Sequence, residues 1–352
     1  MSNTCMALKG RPEKEETPFG DNLYGLKGQA GKGGNMATLT VSAENEKRVK
    51  AMGFLSNKGT DNFSARIITV NGKINASQME CIANAARLYG NGVVTFTTRL
   101  TVEVQGIPYE KIGEFQEYIG KEGLVTGGTG SKVRPVVSCK GTTCQYGLID
   151  TFALSEEIHH RFFEGYASVR LPHKFKIAVG GCPNNCVKPD LNDLGIIGQR
   201  IPDFDEDCCN GCKKCSVEAA CPMGAAKVVD GLLEMDKSIC NNCGRCIGKC
   251  RFDAIEGGQT GYKIYIGGRW GKKVAQGRAL TKIFTDKEEA LNVIEKAILL
   301  FREQGKTGER FSQTVDRLGF ENVEQMLLSD DILNRKQEIL EAALHITGGA
   351  TC

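Results

Sequence analysis

Apolar and polar positions change period several times along this chain. "FSARIITV" and "GVVTFTTRLTVEVQG" alternate or run β-branched, which is the strand pattern. Between them "NASQMECIANAARLYGNG" follows a helical period. Ser77 with Glu80 three residues on predicts a capping-box start there, and Gly90 the stop. "YEKIGEFQEYIGKEG" reads as a second short amphipathic helix, so residues 39–124 predict strand, helix, strand, strand, helix. A Gly-rich loop then enters a strand in "LVTGGTGSKVRPVVSC"; "DTFALSEEIHHRFFEGY" is helical and "HKFKIAVGG" is a strand. The alternation breaks at about residue 201 and resumes at about 259 with the strand "GYKIYIGGRW" and the helix "KEEALNVIEKAILLFREQG". What lies between is dense in cysteine and reads as an insertion.

The pattern therefore predicts an α+β chain in five parts: an N-terminal arm over 1–38, a first unit over 39–124, a second over 125–200 and 259–302, an insertion over 201–258, and a helical tail over 303–352. No apolar run approaches the ~20 residues that cross a bilayer, and "MSNTCMALKGRPEKEE" has no apolar signal core. A cytoplasmic protein without a membrane partner is the expectation. A net charge of +3 is too small to imply nucleic acid.

Sixteen cysteines change the picture. Disulfides are disfavoured in a reducing cytoplasm, so the thiols point to metal. The insertion carries Cys209-x2-Cys212-x2-Cys215-x5-Cys221-Pro222 and then Cys240-x2-Cys243-x2-Cys246-x3-Cys250. This is close to the spacing of the bacterial two-cluster ferredoxin, where three near cysteines hold one [4Fe–4S] cluster and the fourth crosses to the other. Cys209, Cys212, Cys215 and Cys250 would form one set, and Cys221, Cys240, Cys243 and Cys246 the second. The five-residue gap "SVEAA" departs from the usual three, but a crossing cysteine has only to arrive. Zinc is the alternative, since paired CxxC motifs also build zinc sites. Cys208 is out of register and reads as a non-ligand.

Four cysteines stand outside that block: Cys139 and Cys144 in "VVSCKGTTCQYG", and Cys182 and Cys186 in "VGGCPNNC". Each pair follows an apolar strand, with Gly and Asn around it where backbone approaches something closely. Separate buried thiols are the bland reading; convergence on one further cluster is the sharper one. These motifs resemble the sirohaem–[4Fe–4S] site of the sulfite and nitrite reductase family. "LPHKFKIAV" is similar to the family segment with two substrate-binding lysines. "FSARIITVNGKI" and "VVTFTTRLTVEV" are similar to the half-domain whose arginines face sirohaem or substrate, and "YIGGRWGKK" to a sirohaem-contacting strand end. A single copy of the repeat with an inserted ferredoxin resembles the sirohaem subunit of the anaerobic (dissimilatory-type) sulfite reductases. The first cysteine pair departs from the larger enzymes, with four intervening residues rather than five.

The resemblance implies that 39–124 is the ferredoxin-like half-domain and 125–200 with 259–302 the sirohaem- and cluster-binding domain. Cys139, Cys144, Cys182 and Cys186 would hold a third [4Fe–4S] cluster, with Cys186 also the axial ligand of the sirohaem iron. Sulfite would be reduced to sulfide by six electrons. Arg66, Arg134, Lys174 and Lys176 would bind and protonate the anion, the two lysines sharing one face of a strand. Arg99, Lys140, Asn184 and Arg269 would contact the carboxylates of sirohaem. Electrons would come from iron–sulfur and flavin/NADH-type subunits or a soluble ferredoxin. A homo-oligomer that shares its active site is expected, because larger family members divide these roles between two repeats. Nitrite reduction at the same iron, or a non-catalytic electron carrier, are the other readings. Cys5, Cys81, Cys352, His159, His160, His173 and His345 are given no role.

Overall fold

The computed structural model describes residues 41–344. The arm expected over 1–38, Cys5, His345, Cys352 and the last part of the expected tail lie outside the described residues. The first described element is α1 (Ala43–Ala51), which the apolar pattern does not announce, since only Val49 is buried. Its marks are polar: Ser42 accepts from the Asn45 N–H, Glu44 and Glu46 sit in the first turn, and Arg48 and Lys50 in the last.

The chain continues through β1 (Phe54–Ser56), β2 (Asn62–Ile67), α2 (Ala76–Tyr89), β3 (Val94–Phe96), β4 (Val102–Pro108) and α3 (Ile112–Gly120). The strands make an antiparallel sheet in the order β1-β2-β4-β3. Phe54, Phe63, Ile67 and Val104 from the sheet share a core with Ile82 from α2 and Phe115 from α3. Cys81 is buried in the same core. The cap of α2 corrects the expected Ser77–Glu80 box. Asn75 keeps extended backbone and accepts from the Gln78 N–H at 2.8 Å, while Gln78 accepts in return from the Asn75 N–H at 3.1 Å. The helix thus starts at Ala76, and Ser77 and Glu80 lie inside it.

Next come β5 (Val137–Ser138), α4 (Thr151–Ile158), β6 (Ile177–Gly180), β7 (Leu194–Pro202), α5 (Ser216–Ala220), β8 (Ala226–Val229), β9 (Leu232–Met235), β10 (Gly258–Ile266) and β11 (Arg278–Phe284). Five helices end the described chain: α6 (Lys287–Gln304), α7 (Phe311–Leu318), α8 (Phe320–Leu328), α9 (Asp331–Asn334) and α10 (Lys336–Glu341). The second sheet has the order β11-β10-β7-β6-β5, with β5, β6 and β7 parallel and the outer pairs antiparallel. On α6, Ile298 to Phe301 are wholly buried. Phe311, Val323, Ile332 and Ile339 from α7 to α10 enter the same core. This revises the expected tail: through Glu341 these helices are part of the second unit, because their apolar faces have α6 to pack against. Among the described residues no helix is long and apolar enough to cross a membrane.

Phe175 ties this core to the chemistry of the chain. It is fully buried, with its ring centroid 5.1 Å from Phe311 and 5.9 Å from Phe301. The sequence expects a strand here, but β6 starts only at Ile177; Phe175 makes an isolated bridge to Val133 in extended backbone, and its neighbours Lys174 and Lys176 turn to the other face. Phe175→Ala is expected to destabilise the chain by about 3–5 kcal/mol, read as a lowered midpoint in denaturant unfolding.

Candidate functional site

Because β5 and β6 run parallel, residues that precede both strands share one end of the sheet and residues that follow share the other. Arg134 precedes β5, and Lys174 and Lys176 precede β6; Cys139 follows β5, and Cys182 and Cys186 follow β6. The cations and the thiols therefore occupy opposite ends. Lys176 and Cys182 are six positions apart across the four residues of β6, a reach of roughly 20 Å at ~3.3 Å per residue if fully extended.

At the thiol end the two cysteine loops are pressed together. The Gly181 N–H donates to Cys139 Sγ at 3.2 Å, and Thr151 Oγ1 donates to the Cys139 carbonyl at 2.8 Å. A Cβ on Gly181 would lie 2.9 Å from Gly141 Cα, so neither loop has room for a side chain there. Burial, and then the nearby Cys139, Cys186 and Cys144, push the Cys182 thiol up against an opposing hydrogen bond from the Asn184 N–H. Cys182 thus lies within reach of the other three thiols. Ser138 Oγ and Asn185 Oδ1, beside this group, are buried without a partner. Four neighbouring thiols in a tight glycine cradle fit the donor set of a [4Fe–4S] cluster. Among the described residues, no three His, Cys, Asp or Glu side chains close on a point as a single metal ion would need.

At the other end lies a cavity of about 330 Å³ between the two sheets. Lys50, Arg66, Arg99, Arg134, Lys174 and Lys176 line it, and no carboxylate or cysteine does. Arg66 donates through Nε and Nη2 to Glu103 at 2.9 and 2.7 Å, and Arg134 donates to the Gly128 carbonyl. Arg99 comes in on the turn between β3 and β4. Its guanidinium donates to the carbonyls of Pro135 and Ile177 at 2.6 and 3.1 Å and to Asn192 at 3.0 Å, so most of its capacity serves the fold. Burial pulls it down to about 10, against Asp193 and with Arg134 and Arg310.

Burial, Arg99 and Arg310 also pull the Lys176 ammonium down to about 8, against Asp193. The fully buried Asp193 accepts two hydrogen bonds from Arg310 at 2.9 and 2.8 Å and one from the Lys176 N–H at 2.9 Å. His173 is pushed down to about 4 by burial, Arg310 and the lysines, which leaves it neutral. A cationic cavity of this kind suits a small oxyanion or the carboxylates of a larger ligand.

In the inserted segment, Cys221, Cys240, Cys243 and Cys246 line one small cavity. Burial and the other three thiols push Cys246 up to about 11. Burial would raise Cys221 too, but the N–H groups of Ala226, Met223, Ala225 and Gly224 together hold it below the usual thiol range. Cys209, Cys215 and Cys250 pack on the adjoining small core of Val217, Leu233 and Ile255. The departing gap "SVEAA" is helix α5, which runs from Cys215 to Cys221.

Lys140, Asn184 and Arg269 do not line the cationic cavity. Lys140 and Asn184 are exposed on the cysteine loops, and Arg269 sits in the turn after β10, its backbone paired with Ala275 at 2.8 and 2.9 Å. Cys208 is exposed and donates to Asp205 at 3.4 Å. Lys50 is a cavity residue that the apolar pattern does not reveal; the cap and charge gradient of α1 are the signals that could have found it. Arg310 and Asp193, 117 positions apart, carry no local signal.

The description "Nitrite and sulphite reductase 4Fe-4S domain" matches residues 129–332, more than half of the chain, and "Nitrite/Sulfite reductase ferredoxin-like half domain" matches 56–121. A coenzyme F420-dependent sulfite reductase of Methanocaldococcus jannaschii is 32% identical over 65% of this chain, which spans only 36% of that protein. An uncharacterized protein of the same organism is 32% identical over 75% of this chain and 90% of its own length. A subunit of the anaerobic sulfite reductase of Salmonella typhimurium is 29% identical over 50% of this chain and 53% of its own. The crystal structure of dissimilatory sulfite reductase I has the same fold, with a TM-score of 0.60 at 22% identity over 76% of this chain and 69% of that one.

Proposed function

This chain belongs to the nitrite and sulphite reductase family, and from that premise we propose that it is the sirohaem-bearing catalytic chain of a sulfite reductase. The observation that carries the reading is the division of one sheet into a four-thiol end and a carboxylate-free cationic end. When bound through Cys186, a sirohaem joined to the cluster of Cys139, Cys144, Cys182 and Cys186 would supply the iron that takes the anion and the electrons that reduce it.

The residues of this chain do the rest. Lys174, Lys176, Arg66 and Arg134 hold the oxygens of sulfite and neutralise their charge. Lys176 Nζ, with its proton affinity lowered to about 8, is also suited to hand over a proton as oxygen leaves as water. Arg99 braces the wall of the cavity and offers what capacity remains to carboxylates. Lys140, Asn184 and Arg269 are assigned to sirohaem carboxylates on the family resemblance. The inserted segment is read as a two-cluster ferredoxin domain, with Cys209, Cys212, Cys215 and Cys250 as the other set. It would receive electrons from iron–sulfur and flavin subunits or a soluble ferredoxin.

Since cations and thiols lie at opposite ends of one sheet, a single small anion cannot reach both within one chain. The thiol end of one copy is therefore read as completed by the cationic end of a second. Nitrite is the second reading, favoured by the family description itself and by a cationic cavity whose lining suits either small anion.

The first test is anaerobic purification with an absorption spectrum, acid–acetone extraction and an iron count. Sirohaem with iron for three [4Fe–4S] clusters and one haem is expected, and kinetics with sulfite and nitrite then decide the substrate. Iron for two clusters without a tetrapyrrole would make the protein an electron carrier and overturn the proposal.

A further inference from the structure

The inserted segment leaves the second sheet at Pro202 and rejoins it at Gly258, which pair across β7 and β10 at the thiol end. Two contacts fasten it there. The Arg245 guanidinium lies 5.5 Å from the centroid of the Tyr146 ring. Arg245 stands between Cys243 and Cys246, and Tyr146 two residues after Cys144. Separately, Asn242 Nδ2 donates to Gln199 Oε1 at 2.8 Å, and the Arg200 N–H donates to the Asn242 carbonyl at 2.8 Å. Asn242 stands between Cys240 and Cys243. Gln199 is buried in β7, and its neighbour Gly198 is so close to the Cys182 loop that a Cβ there would lie 2.7 Å from the Gly181 carbonyl oxygen.

Each contact thus begins between two cysteines of one set; the first ends two residues past Cys144, and the second ends in β7 next to Gly198, which packs on the residue before Cys182. The Cys209–Cys215 stretch packs elsewhere: a Cβ on Gly211 would meet the carbonyl of Gly231 in the β8–β9 turn at 2.0 Å.

From this juxtaposition we infer that Tyr146–Arg245 and Gln199–Asn242 are positioning pairs that hold the Cys221, Cys240, Cys243 and Cys246 set at a fixed separation from the Cys139, Cys144, Cys182 and Cys186 set. The first of these sets is then the inner member of the insertion, and the Cys209, Cys212, Cys215 and Cys250 set faces the donor. The inference rests on reading these thiols as [4Fe–4S] sites. The step it serves moves one electron. Cys221, Cys240, Cys243 and Cys246 would hold the group that gives up one electron, and Cys139, Cys144, Cys182 and Cys186 the group that takes it; a low-potential one-electron donor would restore the first, and no bond would be made or broken. A rigid gap matters because an insertion held by two chain crossings alone could swing.

The test uses the full chain, reconstituted anaerobically, with its iron counted and then reduced by dithionite. Electron paramagnetic resonance should show the two clusters splitting each other's signals. Tyr146→Ala, alone or with Gln199→Leu, should lose that splitting and show faster amide exchange across residues 240–247 at unchanged iron content. Tyr146→Phe keeps a ring beside Arg245 and should retain the splitting. Unchanged splitting and exchange in Tyr146→Ala and in the double variant, at full iron, would overturn the positioning role alone. Iron short by one cluster in the unaltered protein would overturn the reading of these cysteines and the inference with it.

Discussion

Lys176→Met should lower turnover by about 10²–10³-fold, the usual cost of removing one preorganised charge donor from a reaction site, while sirohaem content and fold are kept. The fold is spared because Arg310 and Asp193 pair with each other and use only the backbone N–H of Lys176; Met replaces the apolar stem. The sign of the pH dependence follows from the lowered ammonium. A cation is charged below its pKa, so Lys176 donates and attracts below about 8 and fades above it. Turnover of the unaltered protein should therefore decline as pH rises through about 8 or somewhat higher, since bound anions hold the proton on. Lys176→Arg separates the two roles: its charge persists across this range, so KM should stay near normal while kcat falls. Steady-state kinetics over pH check all three. A Lys176→Met enzyme with unaltered kcat would remove Lys176 from the reaction.

Two inactive chains should make one active site when mixed. Cys186→Ser would keep the cations but remove one of the four thiols proposed to hold the cofactors; Lys174→Met with Lys176→Met would keep the thiols but lose two of the cations. Each alone should be nearly inactive. In a mixed dimer one site joins the intact thiols of one copy to the intact lysines of the other, so about half the unaltered activity per dimer is expected from two-fold symmetry. Co-expression with two affinity tags, followed by tandem purification and sulfite assay, gives the measurement. No recovery in a purified mixed dimer would mean that both ends act within one chain, against the roughly 20 Å that the strand direction places between them.

Most of what the chain revealed in advance is local. The cysteine spacings are local, and the structure brings Cys221, Cys240, Cys243 and Cys246 to one cavity while Cys209, Cys215 and Cys250 pack on the adjoining core. Lys174, Phe175 and Lys176 are legible because the alternation of an extended segment is local, even though β6 begins only after them. Where local signals compete, a short stretch is ambiguous: Asn75–Gln78 and Ser77–Glu80 both spell a capping box, and the backbone at Asn75 selects the first. Helix α1 escaped because its marks are caps and charges, not an apolar stripe.

The sequence by itself determined the donor types, their spacing and the strands that carry them, since each depends on neighbours within a few positions. Tertiary structure alone decided which groups share a space. Only parallel pairing of β5 with β6 puts Arg134 beside the lysines and Cys139 beside Cys182, and only the β3–β4 turn brings in Arg99 and then occupies its guanidinium with Pro135, Ile177 and Asn192. The core did the same for the helices after Gly305 and for Arg310 on Asp193. Such contacts join positions more than a hundred residues apart, and they are set by the packing of whole faces, which no short stretch of sequence encodes.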